Sequence, residues 1–435
     1  MKSDVIRELL DNYAQGITWS IKWTERREVV IGHASVCDAS GCDYVISVTP
    51  EGVFIGGETY DGRVRGLLTF LEMIFTYGRG DLRVDCTFVR ESPDIAVRSI
   101  HICLFPEYTY ESLRRVIRTC AVAKYSHVVL ETWGSIQLDT MKELAWEDAL
   151  TKEQVRSLVR EAHALGMKVV PFFQHLGHAS MARLSYSGKH VVLDQNPELE
   201  YLYYPKSYGW VWNFKSEEVR ALLRNVRLEL MDLFGEAEYF HLGCDEAGIE
   251  FDPDELCAYL NEVSRDLKAH GRRAVIWGDM LLSRAFFPGE TYECNSTPDY
   301  ASRLLEKLDK DVIIADWQYD TAAPSWSSSK LLKDHGFDVL CCPWDSDENL
   351  NASIQTVKGD GHLGVMKTTW NRLFSGRGIP SVVYYGLYCY RDAGFKRFEG
   401  HVGYITERSH FIYRKVDPEM GRVSYQEAGW SKEQV

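Results

Sequence analysis

The chain has 435 residues, 45% hydrophobic and 26% charged, the balance of an ordinary globular protein. A formal charge of -14 with no basic stripe excludes a phosphate-backbone reader, so nucleic acid is not an expected partner. No run of about 18 apolar residues occurs, and the charged amphipathic start "MKSDVIRELLDNYAQGITWS" lacks a signal peptide's apolar centre, so a cytoplasmic protein without a membrane partner is expected.

Residues 1–92 read as a small α+β domain. Within it, "CDYVISVTPEGVFIGGETYDG" predicts two strands around a Pro-Glu-Gly turn, and "RVRGLLTFLEMIFTYG" an amphipathic helix closed by Gly78. From residue 98 the pattern becomes strand, loop, helix, repeated. The apolar runs fall at 99–105, 126–132, 167–173, 238–244, 273–278, 311–317, 337–342 and 362–369. Helical stretches separate most of them. Thr151 stands three before Gln154 as a capping box, and Asp252-Pro253 opens a helix as N-cap and first residue. Eight such runs predict a parallel sheet closed into a (β/α)8 TIM barrel over 93–435, with a C-terminal helical segment. No GxGxxG or Walker loop follows a strand, against an open nucleotide-binding sheet. Eleven scattered cysteines without a CxxC pair read as reduced core thiols.

A barrel carries its active site at the C-terminal ends of its strands. There the sequence places Trp277, Trp317, Tyr319, Trp344 with Asp345, and Trp370 after strands five to eight. Strand three runs into "QHLGHA" and strand four into "HLGCDEAG". Sugar rings stack on aromatic faces, so an aromatic box around paired acids points to a glycosidase pocket. Asp245 and Glu246 are consecutive, unlike the separated carboxylates of most glycosidases. In the loop past a strand both can enter the pocket at different heights. Such a pair suits catalysis in which the sugar's own 2-acetamido oxygen attacks.

"HLGCDEAG" resembles the H-x-G-G-D-E signature of glycoside hydrolase family 20, the β-N-acetylhexosaminidases, in a divergent bacterial-type form. "PFFQHLGHA" is similar to the family's P-E-I-D-x-P-G-H, in register through Pro171, Gly177 and His178. Residues 1–92 resemble the small domain that precedes the family's barrel. The resemblance implies Asp245 as the residue orienting the acetamido group and Glu246 as general acid, then base, its acidity weakened by burial against aromatics. It implies His178 as a support for the acid, Arg98 as a grip on sugar hydroxyls, and Trp277, Trp317, Trp344 and Trp370 as pocket walls, with Tyr319 and Asp345 beside them.

Several positions depart from the family. The strand-two acidic pair is absent, leaving Glu131 as the candidate partner on that strand. The strand-three Glu and Asp are Phe172 and Gln174, and the late W-G-E is Trp370-Asn371-Arg372. Gln174 and Arg372 join Glu131 as supporting candidates. The expectation is an exo-acting β-N-acetylhexosaminidase acting with retention on small amino-sugar glycosides or oligosaccharides. It implies no metal and no organic cofactor, and a homo-oligomer is compatible with it. Two other readings stand beside it. One is a non-catalytic amino-sugar-binding barrel. The other is a metal-dependent barrel hydrolase built on His175, His178, His241, Asp245 and Glu246.

Overall fold

The apolar runs expected from residue 99 onward form eight parallel strands that close on themselves. The structure, a computed structural model, describes residues 21–23, 29–77, 84–106, 108–180, 196–205, 207–370, 373 and 378–391. The barrel strands are β6 (Val97–Cys103), β7 (His127–Thr132), β8 (Lys168–Phe173), β9 (Tyr239–His241), β10 (Arg273–Trp277), β11 (Ile313–Trp317), β12 (Val339–Cys342) and β13 (Gly364–Thr368). They pair in chain order, and β13 returns to β6 through Gly364–Val97 to Thr368–His101.

Alternation along each strand divides the side chains between two cores. Val129, Val170, Phe172, Val275, Trp277, Ile313, Leu340 and Met366 pack together in the barrel interior. Their neighbours Val128, Leu130, Val169, Phe173, Ile276 and Ile314 pack in the larger core that includes the surrounding helices. At about 3.3 Å per residue, a five-residue strand is long enough to separate the two mouths of the barrel.

The helices between strands are α2 (Tyr110–Val122), α3 (Lys152–Ala164), α4 (Glu217–Phe234), α5 (Pro253–Ala269), α6 (Pro298–Lys307), α7 (Ser327–Asp334) and α8 (Asp347–Asp360), with α9 (Gly378–Tyr390) after the last strand; before the barrel, α1 spans Tyr60–Tyr77. Capping follows the sequence: Thr151 and Gln154 form a reciprocal capping box on α3, and Asp252 accepts from the Asp254 N–H at the start of α5. None of the described helices is long and apolar enough to cross a membrane.

Ahead of the barrel lies an antiparallel sheet in the order β1-β2-β4-β3-β5: Ile21–Trp23, Val29–Gly32, Gly52–Gly56, Tyr44–Thr49 and Thr87–Glu91. The expected hairpin is β3–β4, closing at Thr49–Gly52. Gly78, its expected helix stop, lies outside the described residues. α1 meets the N-terminal mouth of the barrel, where the Tyr60 hydroxyl donates to the Ala164 carbonyl at 2.7 Å. Asp43 links the two parts. It accepts from Arg65 Nε at 2.6 Å and from the Tyr390 hydroxyl at 2.8 Å.

Arg98 corrects the sequence reading. It is the second residue of β6 and so lies at the N-terminal mouth, opposite the one that carries Asp245 and Glu246. Its guanidinium donates to the carbonyls of Ile95, Ala96 and Lys124 and sits 5.1 Å from the Tyr390 ring centre.

Candidate active site at the C-terminal mouth of the barrel

β9 is only three residues long because the backbone turns sharply after it. Gly243, Cys244, Glu246 and Gly248 all have positive φ, at 71°, 75°, 48° and 82°. Left-handed backbone at non-glycine residues is costly and collects at functional sites. The turn gives the two neighbouring carboxylates opposite surroundings. Asp245 is buried at 4% exposure, whereas the Glu246 side chain is 47% exposed. The burial of Glu246 against aromatics expected from the sequence is therefore not found.

His178 joins the pair. Its Nε2 lies 3.3 Å from Asp245 Oδ2 and 3.2 Å from Glu246 Oε2. Burial alone would make this imidazole less basic. The carboxylates of Asp245, Glu246 and Glu131 outweigh burial and push its pKa up to about 10. His178 also has a positive φ of 53° and packs against the Trp210 ring at 4.2 Å between centres. The Trp210 indole N–H donates to the Glu246 carbonyl at 2.8 Å.

Beneath Asp245 runs a buried chain of polar groups from strands one to three. Gln174 Nε2 donates to Asp245 Oδ1 at 3.2 Å and to Glu131 Oε1 at 2.8 Å. Glu131 Oε2 lies 2.7 Å from His101 Nε2. Two glycines make room for this packing. A Cβ on Gly177 would sit 2.0 Å from the Asp245 carbonyl oxygen, and one on Gly243 would sit 1.8 Å from Gln174 Oε1.

On the other flank, Asp279 accepts from the Glu246 N–H at 3.0 Å, Asn295 Nδ2 at 2.8 Å and Trp317 Nε1 at 3.1 Å. Its burial, together with the Asp245 charge, pushes its pKa up to about 7 against those three donors. Trp317, Tyr319 and Trp344 follow one another with ring centres 5.0 and 5.4 Å apart. Trp370 Nε1 donates to the Tyr319 hydroxyl at 2.7 Å. Trp277 is fully buried in the barrel interior, so it forms floor rather than wall. Lys367 is buried outside that floor. Its Nζ donates to the Trp344 carbonyl at 2.7 Å and lies 3.5 Å from Asp345 Oδ1.

The structure thus joins Asp245, Glu246, His178, Glu131 and Gln174 in one network, with Trp277, Trp317, Tyr319, Trp344, Asp345 and Trp370 on the same mouth. Arg372, with Asn371, lies outside the described residues. The sequence reading gave no site role to His101, Trp210 or Lys367. Trp210 had a signal in the aromatic stretch "YGWVWNF"; a lone His101 in an apolar strand had none. The histidines proposed for a metal centre do not converge. His175 Nδ1 faces the Phe173 carbonyl at 2.6 Å, and the His241 ring stacks on Phe172. A different group, His101, Cys103 and Glu131, brings its donor atoms within 4.8 Å of one another; in it His101 and Glu131 bond directly.

Residues 120–258 match the sequence profile described as glycosyl hydrolase family 20, catalytic domain. This stretch of the chain is similar to that family. The matched stretch holds Glu131, Gln174, His178, Asp245 and Glu246. Solved family 20 structures resemble the whole barrel. A β-N-acetylhexosaminidase from Bacteroides fragilis superposes with a TM-score of 0.63 at 17% identity, covering 86% of this chain and 81% of the other. The family 20 β-N-acetylhexosaminidase of Streptomyces coelicolor gives 0.63 at 14%, covering 91% and 85%. A Flavobacterium johnsoniae chitobiase gives 0.64 at 15%, covering 89% of this chain but 63% of its own length. At these identities the likeness speaks to the fold. No curated protein sequence matches.

Proposed function

We propose that this family 20 relative is an exo-acting β-N-acetylhexosaminidase that removes a terminal β-linked GlcNAc or GalNAc with retention, using the substrate's acetamido group as nucleophile. The observation that carries this reading is the split environment of two chain neighbours. Asp245 is buried and held, Glu246 is open to solvent, and both reach His178. In the reaction, the acetamide oxygen attacks the anomeric carbon as the bond to the leaving oxygen breaks. Glu246 gives that oxygen its proton. Asp245 accepts the acetamide N–H and offsets the positive charge of the oxazolinium. Glu246 then takes a proton from the water that opens the ring, and the β-anomer is restored. The exposed Glu246 is enclosed by the substrate itself, whose ring stacks between Trp317, Tyr319 and Trp344.

No cofactor enters these steps. The net charge of -14 supports small glycosides rather than nucleic acid as ligands. Eleven free thiols, eight of them buried, support a reducing compartment such as the cytoplasm. The test is the first product seen by proton NMR from an aryl 2-acetamido-β-glycoside. The β-anomer is expected, changing to the α-anomer only by mutarotation. An α-anomer formed first would overturn retention, and binding without turnover would favour the lectin-like reading.

A further inference from the structure

The polar chain beneath Asp245 has a direction. The Cys244 N–H can only donate, and it faces Gln174 Oε1 at 3.3 Å. That contact fixes which end of the Gln174 amide is oxygen. Nε2 must therefore face Asp245 and Glu131, and both Asp245 Oδ1 and Glu131 Oε1 must be acceptors. The second oxygen of Glu131 is occupied from the far side by His101 Nε2 at 2.7 Å and the Cys103 thiol at 3.5 Å. His101 and Glu131 are both fully buried, and no described partner meets His101 Nδ1. With Nε2 carrying the ring proton, His101 donates to Glu131, and every contact in the chain is satisfied in one sense only.

We propose that His101 and Glu131 are positioning residues that act on the reaction through Gln174, locking its amide so that Asp245 keeps an acceptor oxygen and a fixed place against the acetamido group. The proposal rests on the hydrolytic role given to Asp245; it adds His101, which the family resemblance did not supply, and gives Glu131 a route of action through Gln174. Neither side chain touches the substrate. Glu131 presents an acceptor to Gln174, His101 holds Glu131 from turning, the Cys244 N–H holds the amide oxygen, and the missing side chain of Gly243 leaves the space the amide fills. The substrate feature they serve is the 2-acetamido N–H, from which Asp245 accepts in the proposed reaction.

The test is a cycle of variants. Glu131→Leu removes the acceptor and should lower kcat on an aryl 2-acetamido-β-glucoside 10- to 100-fold with KM within about threefold, since binding by the aromatic wall is untouched. Glu131→Gln keeps an acceptor for Gln174, with His101 changing tautomer so that its Nε2 accepts from the new amide, and should restore a large part of the loss. In an Asp245→Asn background Glu131→Leu should cost less than about twofold, because its route of action is already gone. Equal losses in both backgrounds, or Glu131→Gln as poor as Glu131→Leu, would overturn the proposal.

A second measurement does not depend on turnover. In protein labelled with nitrogen-15 glutamine, the Gln174 side-chain amide (identified by its disappearance in Gln174→Leu) should be protected from solvent exchange. Protection should survive Glu131→Gln and vanish in Glu131→Leu. Loss of protection in neither variant would refute the lock even if the wild type hydrolyses nothing, while lack of hydrolysis with protection behaving as expected would count only against the hydrolase reading.

Discussion

His178 is the residue on which the two carboxylates meet, and its charge makes a prediction. Its pKa is raised in the folded state to about 10 from an unfolded value near 6.5. A raised imidazole pKa contributes stability that is fully present below the unfolded value and is lost as pH rises through the folded one. His178→Asn suits the left-handed backbone there, at φ 53°. The variant should be less stable than wild type in urea at pH 6, with the gap closing steadily towards pH 10. A gap independent of pH would mean that His178 is neutral between Asp245 and Glu246. Residue types at this site were legible because chemistry restricts them: a Gly-Cys-Asp-Glu run after a strand and a Gly-His after the preceding one. What the sequence could not show is partnership. Gln174 reads as a lost family carboxylate; only the fold shows its amide bridging two acids.

At the scale of elements, the loop after β12 depends on its neighbour strand. Thr368 of β13 donates through its N–H and its hydroxyl to the Pro343 carbonyl, and Lys367 donates to the Trp344 carbonyl. Burial lowers the Lys367 pKa, and the Asp345 carboxylate acts against that shift. Lys367→Met should remove the charged donor to the Trp344 carbonyl, destabilise the protein by about 1–3 kcal/mol, and raise KM more than it lowers kcat; a thermal melt and a Michaelis curve check both. Unchanged KM would free Trp344 and Asp345 from substrate binding. All eight strands were legible because buried parallel strands are short apolar runs with charged helices between them. α8 was not, because its buried face is largely small and polar, with Asn349, Ala352, Ser353 and Thr356. α9, "GIPSVVYYGLYCY", is apolar on nearly every side and has no helical period to read. β9 was overestimated because Gly243 and Cys244 leave the strand in left-handed turns.

For the whole molecule, the small sheet is tied to the barrel at the mouth opposite the site. Asp43 receives two hydrogen bonds from Arg65 and one from Tyr390. Burial alone would raise its pKa; the Arg65 guanidinium outweighs it and holds the carboxyl below its usual range. Such a group contributes stability above its unfolded pKa that is lost as pH falls through the folded value. Asp43→Asn should cost about 3 kcal/mol at neutral pH with KM unchanged, measured by urea unfolding and steady-state kinetics; a changed KM would mean that this joint communicates with the pocket. Arg98 belongs to this joint, and its position shows why the sequence misplaced it. A positive charge beside a barrel strand is legible, but only its place in the strand, second rather than last, decides which mouth it serves. The central claim, acetamide-assisted hydrolysis at Asp245 and Glu246, is tested most directly by matched chromogenic β-GlcNAc, β-GalNAc and β-glucoside substrates with wild type, Asp245→Asn and Glu246→Gln. Activity confined to the 2-acetamido sugars, lowered about 10²- to 10³-fold by Asp245→Asn and about 10²- to 10⁴-fold by Glu246→Gln, is the predicted result. Equal turnover of the plain glucoside would contradict it.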